Sequence, residues 1–488
     1  MNLPDHKTKI VCTIGPASRS EAVLEELVKK GMNVARLNFA HGTLKTHKED
    51  IRRIRAVAVK LQRYCLIMVD LPGPKIRIGK LRDDSLLLEK GDKVILTIRD
   101  ILGTPDRIPV EYKRLPESVS PGSLIFLNDG FIQLKVEKIS ADEVFCRTII
   151  GGPLLSHKGL NLPGVKIFTD VVSESDLMFV DFALAEGIDT FGISFVESAD
   201  DIMKLREFTG KKGKSVHVVA KIERAEAINN IDEILDAADA IMIARGDMGV
   251  QIPLEDVPAV QKKLIHQANL LGRPVITATQ MLVTMTENIR PTRAEVSDVA
   301  NAVLDGTDAV MLSEETAIGR YPVESVEMMA KIVSSAERER VAINDLSDLH
   351  AYFRKGASRG ESKHGDVLSL NAVEAAQALK IHYIIVPVQN GTAPCLISRF
   401  KPDCWILLFG GNEALNNFLN LSYGVSPIYL ERETGTRLDA IMEFMEKSGF
   451  AKEDDRLIFV EGTLAGEMAG VDSLRIITTR SDNRRMEG

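Results

Sequence analysis

The feature that most constrains the fold is a repeated alternation between short apolar runs and longer charged, amphipathic stretches. Ser20 to Lys30 and Leu44 to Gln62 carry apolar residues three or four positions apart, which predicts helices. The apolar runs before residue 72 are TKIVCTI, NVARLNF and CLIMVD, and those after residue 164 are IDTFGIS, SVHVVAKI, DAIMIA, RPVITA and DAVMLS. Eight Val- and Ile-rich strands separated by helices are expected to form a parallel sheet closed into a (β/α)8 TIM barrel.

Two other regions interrupt or follow this rhythm. From about residue 76 to 163 the chain shows short alternating runs divided by KGDK, TPDR, SPGS and NDG turn signals, which predicts an all-β domain inserted after strand 3. The polar stretch 344–366 is expected to be a linker or an exposed helix. After it, five apolar runs alternate with helical segments, which predicts a doubly wound α/β domain. The predicted domains are 1–72 with 164–343 (barrel), 73–163 (inserted β domain) and 344–488 (linker and C-terminal domain).

Size and charge agree with an ordinary folded protein of about three domains, since 488 residues contain 45% hydrophobic and 27% charged residues. The net charge of −8, without a run of one sign, predicts neither nucleic-acid nor membrane-surface binding. Five scattered cysteines without a Cys-x-x-Cys spacing, and no apolar stretch near 18 residues, predict a reduced, cytoplasmic protein.

The carboxyl ends of the predicted barrel strands carry many polar residues, and active sites of such barrels lie there. Lys221 and Glu223 are two apart on a strand and therefore share the interior face. The pair alone could be a structural buried ion pair. Asp247, on a glycine-flanked turn after the next strand, adds a second carboxylate, and this set suits a hard divalent cation with an anionic ligand.

Basic residues are also predicted at the carboxyl ends of the barrel strands. Arg36, Arg77 and Lys221 fit a phosphate better than a neutral substrate, although any one arginine alone is more often a surface ion pair. Neither G-x-x-x-x-G-K-[ST] nor G-x-G-x-x-G occurs, which disfavours P-loop ATPases and Rossmann dehydrogenases.

These residues lie in motifs that resemble, in order and over essentially the whole chain, those of the pyruvate kinase family. The motifs are KTKIVCTIGPAS, MNVARLNFAHG, AKIERAEAINNIDEI, ARGDMGVQIP, ITATQML, RPTRAEVSDVANAVLDGTDAVMLSEETA and LISRFKP. The resemblance implies phosphoryl transfer from phosphoenolpyruvate to ADP, giving pyruvate and ATP in the last step of glycolysis. It also implies Mg²⁺ or Mn²⁺ as cofactor, a homotetramer, and an inserted β domain that acts as a lid and excludes water from the phosphoryl group.

The resemblance also assigns roles to individual residues. It implies that Glu223 and Asp247 hold the metal, that Arg36 and Lys221 neutralise the phosphoryl group, and that Lys221 stabilises the enolate. Other matched positions would bind the substrate (Ser194, Gly246, Asp247, Thr279) or the nucleotide (Asn38, His41, Arg77, Lys158), with Asp129 on the lid. The enolate would be protonated through Thr279, Ser313 or Glu315, among which the sequence does not choose; Glu314 stands where the family usually has Gly.

Two departures from the family pattern predict properties of this chain. Potassium-dependent members hold K⁺ at positions matching Asn38, Ala40, Asp70 and Leu71, near a glutamate. Here Lys75 replaces that glutamate and Ala40 replaces a serine, so Lys75 is expected to substitute for the monovalent cation and K⁺ is expected not to be required. In the run 388–393 all three hydroxyl positions of the sugar-phosphate loop of regulated members have changed, although Thr392 lies beside them. This predicts weak or absent activation by fructose 1,6-bisphosphate, with a different effector pocket formed by Asn390 and Thr392 as the alternative.

Two alternatives remain open at this point. A metal-dependent barrel lyase acting on pyruvate-like enolates would use the same Glu223 and Asp247 but would not depend on ADP. A catalytically inactive scaffold with this fold should have lost Lys221, Glu223, Asp247 or Thr279, and all four are present.

Overall fold

A computed structural model describes residues 3–128, 130–165, 167–168, 170–343, 347–359, 363–388, 392–410, 412–428, 437–462 and 471–479. The first part of the barrel consists of β1 (Lys9–Thr13), α1 (Glu21–Lys30), β2 (Met32–Asn38), α2 (Leu44–Leu61) and β3 (Leu66–Leu71). Helix α1 begins after Ser20, whose side chain accepts a hydrogen bond from the Val23 amide, and ends at Gly31 with φ +124°. The two helices predicted here are confirmed.

The inserted region, called the lid below, consists mostly of antiparallel strands. Its elements are β4 (Ser85–Leu88), β5 (Lys93–Thr97), β6 (Arg107–Pro109), α3 (Leu115–Ser118), β7 (Leu124–Leu127), β8 (Ile132–Ile139), β9 (Glu143–Ile150), β10 (Gly152–Leu155) and β11 (Leu160–Asn161). Six strands pair in the order β11-β7-β8-β9-β5-β6, with β5 and β6 paired parallel, and β10 pairs with β4. A separate apolar core, which includes Leu96, Leu134 and Val165, lies within this lid.

The chain then returns to the barrel, and the remaining strands close it. The elements are α4 (Glu174–Ala185), β12 (Thr190–Ile193), α5 (Ala199–Gly210), β13 (His217–Ile222), α6 (Ala225–Asn229), α7 (Ile231–Ala237), β14 (Ala240–Ala244), α8 (Arg245–Gln251), α9 (Val257–Leu271), β15 (Val275–Ala278), α10 (Arg293–Leu304), β16 (Ala309–Leu312), α11 (Glu314–Ala317) and α12 (Pro322–Ile343). The eight parallel strands run β1-β2-β3-β12-β13-β14-β15-β16 and back to β1. The TIM barrel expected from the strand count is confirmed.

Alternation along the strands determines what the barrel encloses. Residues with one parity fill the interior with an apolar cluster, whose strand members include Val11, Val34, Met68, Val219 and Met242. Moving two residues further along four of those strands, toward their carboxyl ends, replaces the apolar side chains by polar ones on the same face. The barrel interior is therefore apolar in its middle and polar at the carboxyl ends of the strands, which form the barrel mouth. The polar layer there consists of Thr13, Arg36, Asp70 and Lys221.

The C-terminal domain is a second α/β unit. Its elements are α13 (Ser347–Arg359), α14 (His364–Ala378), β17 (Tyr383–Val388), α15 (Thr392–Ser398), β18 (Trp405–Gly410), α16 (Glu413–Leu419), β19 (Val425–Ile428), α17 (Arg437–Lys447), β20 (Arg456–Glu461) and β21 (Ser473–Thr478). The strand order is β19-β18-β17-β20-β21, with β21 antiparallel to β20. A buried ion pair, Asp308 with Lys401 at 2.8 Å, joins this domain to the barrel.

The domain boundaries at 72, 163 and 343 stay predictions. Asp129 and residues 389–391 of the sugar-phosphate loop lie outside the described residues. Within the described part of the chain, no helix has the length and apolar character needed to cross a membrane.

Candidate active site

The polar layer at the barrel mouth is organised around the carboxylate of Asp70. The Arg36 guanidinium donates to Asp70 Oδ2 from Nε at 2.7 Å and also to Thr13 Oγ1 at 2.8 Å. The Lys221 ammonium lies 3.3 Å from Asp70 Oδ1 and donates to Ser194 Oγ at 2.6 Å. Asp70 is 1% exposed, while Arg36 and Lys221 each keep 9% exposure at the mouth. Two cations therefore converge on one buried carboxylate and still face the opening.

The protonation states of this group follow from burial and mutual attraction. Burial raises the pKa of Asp70, but Lys221 and Arg36 outweigh burial and leave that pKa below its ordinary value. Burial lowers the pKa of Lys221, but Asp70 and Glu223 outweigh it and leave the pKa above its ordinary value. The Asp70 carboxylate and the Lys221 ammonium are consequently both charged near neutral pH.

Glu223 follows β13 directly and lies beside Lys221, as the two-residue spacing predicted. Its Oε1 is 2.9 Å from Lys221 Nζ, and its Oε2 accepts a hydrogen bond from the Phe195 amide at 2.8 Å. Burial raises the pKa of Glu223 to about 7; Lys221 opposes the rise and Asp247 adds to it. Asp247 thus acts electrostatically on Glu223. Their two carboxylates carry more negative charge than the Lys221 ammonium neutralises, which favours the binding of a further cation.

The oxygen donors of Glu223 and Asp247 fit a hard divalent cation. Among the described residues no group of three or more His, Cys, Asp or Glu side chains forms a complete metal cage. Mg²⁺ needs no such cage, because it usually takes one or two protein carboxylates and completes its shell from substrate and water. Repulsion from Asp247 raises the pKa of Glu223. A bound cation would relieve this repulsion, so the pair of carboxylates favours a cation site.

The start of α8, directly after β14, adds a second cluster of predicted residues. The prediction of a glycine-flanked turn at Asp247 is wrong, because Arg245–Gln251 is helical. The Gly246 amide donates to Thr279 Oγ1 at 2.7 Å, so the two predicted carboxylate-binding positions are in direct contact. Thr279 has φ +70°, a strained value for a β-branched residue. The Arg245 guanidinium supports that backbone by donating to Thr279 O at 2.8 Å and to Asp298 at 2.6 Å.

A third cluster surrounds Glu315 after β16. Its carboxylate accepts hydrogen bonds from the amides of Ser313 at 2.7 Å and Leu282 at 3.0 Å. Burial raises the pKa of Glu315, its amide hydrogen bonds oppose the rise, and the neighbouring Glu314 adds to it. A buried carboxyl with a raised pKa is suited to hold a proton near the mouth.

Asp70, predicted at the monovalent-cation site, lies at the centre of the Lys221 cluster. In the ranges that the structure describes, no side-chain hydrogen bond or ion pair joins Lys75 or the predicted nucleotide residues to that cluster. Among the described residues, the Asn38 amide oxygen accepts the Ala40 amide at 3.1 Å, and Arg77 donates to the His157 carbonyl at 2.9 Å within the lid. His41 and Lys75 are exposed, and Lys158 is half-buried. Within the described part of the chain, the Lys75 ammonium makes no ion pair.

Sequence reasoning missed three participants. Asp70 was assigned only to a cation site, although its parity with Leu66 and Met68 could have placed it in the interior facing Arg36. Thr13 could have been found by the same parity on β1. Phe195, which has φ +59° and donates its amide to Glu223, carries no side-chain signal that could have revealed it.

Comparisons with known proteins agree with this geometry. The family model for the pyruvate kinase barrel domain matches residues 5–326, and that for the pyruvate kinase alpha/beta domain matches residues 366–477. A pyruvate kinase of Thermococcus litoralis is 49% identical over 98% of this chain and 99% of its own length. Pyruvate kinases of Geobacillus stearothermophilus and Staphylococcus aureus are each 40% identical over 96% of this chain and 80% of their own length. The chain belongs to the pyruvate kinase family of phosphotransferases.

Proposed function

We propose that the chain transfers the phosphoryl group of phosphoenolpyruvate to ADP with Mg²⁺ or Mn²⁺ and without K⁺. The observation that carries this proposal is the convergence of Arg36 and Lys221 on Asp70, directly beside Glu223. A transferring phosphoryl group spreads negative charge over its oxygens, so catalysis requires positioned positive charge rather than a covalent intermediate. One guanidinium group and one ammonium group, both held by the same buried carboxylate, are preorganised for that task.

The remaining roles are those that membership of the family implies for the matching positions. Glu223 and Asp247 would hold the divalent cation, which would supply further positive charge to the phosphoryl oxygens and the enolate. Lys221 would stabilise the enolate left after transfer, with Ser194 fixing its ammonium. The Gly246 and Asp247 amides and Thr279 would bind the substrate carboxylate, and Asn38, His41, Arg77 and Lys158 would meet the nucleotide.

Protonation of the enolate is assigned to the group formed by Thr279, Ser313 and Glu315. The hydrogen bond from the Ser313 amide to the Glu315 carboxylate, at 2.7 Å, supports the membership of these two residues in one group. The choice among the three residues stays open.

Independence from K⁺ is supported by the residues at the positions that would otherwise hold the ion. Ala40 offers no hydroxyl, and its amide donates to the Asn38 side-chain oxygen at 3.1 Å. Lys75 lies on the connection into the lid with an exposed ammonium, so its charge is available when the lid closes over substrate. A fixed ammonium would then substitute for the monovalent cation.

A homotetramer is part of the same proposal. Three exposed apolar residues follow neighbouring strands at the barrel rim: Leu254 at 73%, Ile289 at 56% and Ile318 at 62% exposure. Apolar side chains grouped on neighbouring loops favour an interface between copies. Light scattering on the purified protein should give four times the 53.7 kDa chain mass.

The test of the proposed function is steady-state ATP formation from phosphoenolpyruvate and ADP. Activity should require both substrates and Mg²⁺, and its rate should stay within about fivefold when KCl replaces tetramethylammonium chloride at constant ionic strength. Turnover of phosphoenolpyruvate without ADP would instead support the lyase alternative. Activation by K⁺ beyond about fivefold, near 1 kcal/mol of barrier, would contradict the role of Lys75.

A further inference from the structure

Arg224 immediately follows Glu223 and is only 3% exposed. Its Nη1 is ion-paired with Glu197, and its Nε lies 3.6 Å from Glu226. Its Nη2 donates to the carbonyl oxygen of Val165 at 3.3 Å. Removing a guanidinium from water is costly unless its donors find acceptors, so this buried side chain is held in one orientation by what it contacts.

The acceptor carbonyl belongs to the lid. Val165 is 8% exposed and packs in the lid core on the connection that returns the chain to the barrel. Arg224, in contrast, lies at the end of barrel strand β13. The Arg224–Val165 hydrogen bond therefore crosses from the barrel to the base of the lid.

The outgoing connection to the lid contacts the same group of residues. Gly73, with φ +64°, lies so close to the loop after β12 that an added Cβ would come within 3.1 Å of the Phe195 ring and of Ser194 Cβ. The Phe195 amide, in turn, donates to Glu223 Oε2 at 2.8 Å. The outgoing lid connection thus contacts Phe195, which donates to the Glu223 carboxylate, and the returning connection contacts Arg224, the residue that follows Glu223 in the chain.

We propose that Arg224 is a positioning residue that couples the position of the lid to the carboxylate of Glu223. When the returning connection moves, Val165 carries the guanidinium with it, and the backbone joining Arg224 to Glu223 moves as well. Because coupling between two sites is reciprocal, a cation bound at Glu223 stabilises one position of the lid base. This inference rests on the proposed role of Glu223 as a metal ligand.

The test compares the parent with Arg224→Met by two measurements. The first is the Mg²⁺ concentration for half-maximal activity together with kcat. Arg224→Met should need about 10-fold more Mg²⁺, at the lower end of the range for an outer partner of a ligand, because Arg224 adjoins Glu223 in the chain without contacting its carboxylate. The second is hydrogen exchange of residues 160–165 with and without Mg²⁺. The parent should gain protection on adding Mg²⁺, and Arg224→Met should not.

Arg206→Met is the matched control. Arg206 also pairs with a carboxylate, Asp239 at 2.7 Å, and donates to the carbonyls of Ala237 and Val216, but it makes no contact with the lid among the described residues. It should lower the melting temperature without changing the Mg²⁺ requirement. If Arg224→Met behaves the same way, with a lower melting temperature and a parent-like Mg²⁺ requirement, Arg224 is only structural and the inference is overturned.

Two further variants complete the test. If Arg224→Met does not fold, Glu197→Gln weakens the hold on the guanidinium while leaving Arg224 in place; a several-fold higher Mg²⁺ requirement supports the coupling and a parent-like value overturns it. Glu223→Gln separates this inference from the proposed function. A parent-like Mg²⁺ requirement in Glu223→Gln would contradict the metal site itself, whereas a defective Glu223→Gln beside a parent-like Arg224→Met contradicts only the coupling.

Discussion

The Lys221 ammonium lies 2.9 Å from the carboxylate of Glu223, two residues further along the same chain segment. The contact follows from strand geometry, because alternate side chains share a face, and it places a cation beside the pair of carboxylates that would bind the metal. The same ammonium faces Asp70, so its charge is held by two carboxylates at once.

Replacing Lys221 by Met should lower kcat about 100- to 1000-fold, since one preorganised charge on a developing anion contributes about 3–4 kcal/mol. Single-turnover and steady-state rates of ATP formation measure the effect. Lys212→Met, which removes an exposed ammonium paired with Asp181, should be indistinguishable from the parent. A Lys221→Met enzyme within about tenfold of parent kcat would show that Lys221 has another role.

Replacing Glu223 by Gln should raise the Mg²⁺ requirement by more than about 100-fold, beyond the range for residues that act only through a ligand. Asp247→Asn should act in the same direction, because it removes the second carboxylate. Titration of activity with MgCl₂ measures both. Glu255→Gln, an exposed carboxylate after the helix that carries Asp247, serves as the control and should leave the titration unchanged.

Lys75→Glu should make activity depend on K⁺, because it replaces the proposed ammonium by a carboxylate and changes the local charge by two units. The variant should be poorly active in tetramethylammonium salt and partly restored by KCl. Adding Ala40→Ser supplies a hydroxyl and should improve the restoration. Lys80→Glu makes the same charge change elsewhere on the lid, and a K⁺ response in that control as well would point to a general effect of charge.

Stability should depend on pH through Lys9, a 2% exposed lysine that donates to the Val425 carbonyl at 2.6 Å. Burial lowers the pKa of Lys9 to about 7, with Glu337 and Asp308 opposing the fall. At pH values between about 7 and the unfolded-state pKa near 10.4, Lys9 is mostly neutral in the folded protein but protonated in the unfolded chain. The contribution of this lysine to the free energy of unfolding therefore rises with pH over that range.

The measurement for Lys9 is the difference in unfolding free energy between Lys9→Met and the parent, obtained by urea denaturation from pH 6 to 9. The unfolding free energy of Lys9→Met minus that of the parent should be largest at pH 6 and should fall by about 2 kcal/mol between pH 7 and 9. The exposed Lys331→Met control should give a flat difference. A flat difference for Lys9→Met too would mean that Lys9 stays charged in the folded protein.

Fructose 1,6-bisphosphate should activate the enzyme weakly or not at all, because none of the three hydroxyl positions expected of a sugar-phosphate loop is kept in the run 388–393, where Thr392 is only adjacent to them. Rates at subsaturating phosphoenolpyruvate, with and without the sugar phosphate, provide the test. Activation at submillimolar concentration would contradict this prediction.

The sequence by itself determined the order of strands and helices, the inserted β domain and the pairing of Lys221 with Glu223. Each depends on local rules: periodicity sets the element, and two-residue spacing sets the shared face. Only the tertiary structure decided that Asp70 holds both Arg36 and Lys221, because those three side chains come from strands separated by up to 185 residues of chain and meet only when the barrel closes. The backbone contacts of Phe195 and Val165 likewise depend on packing between domains, since a main-chain amide or carbonyl has the same chemistry at nearly every position and leaves no mark in the sequence.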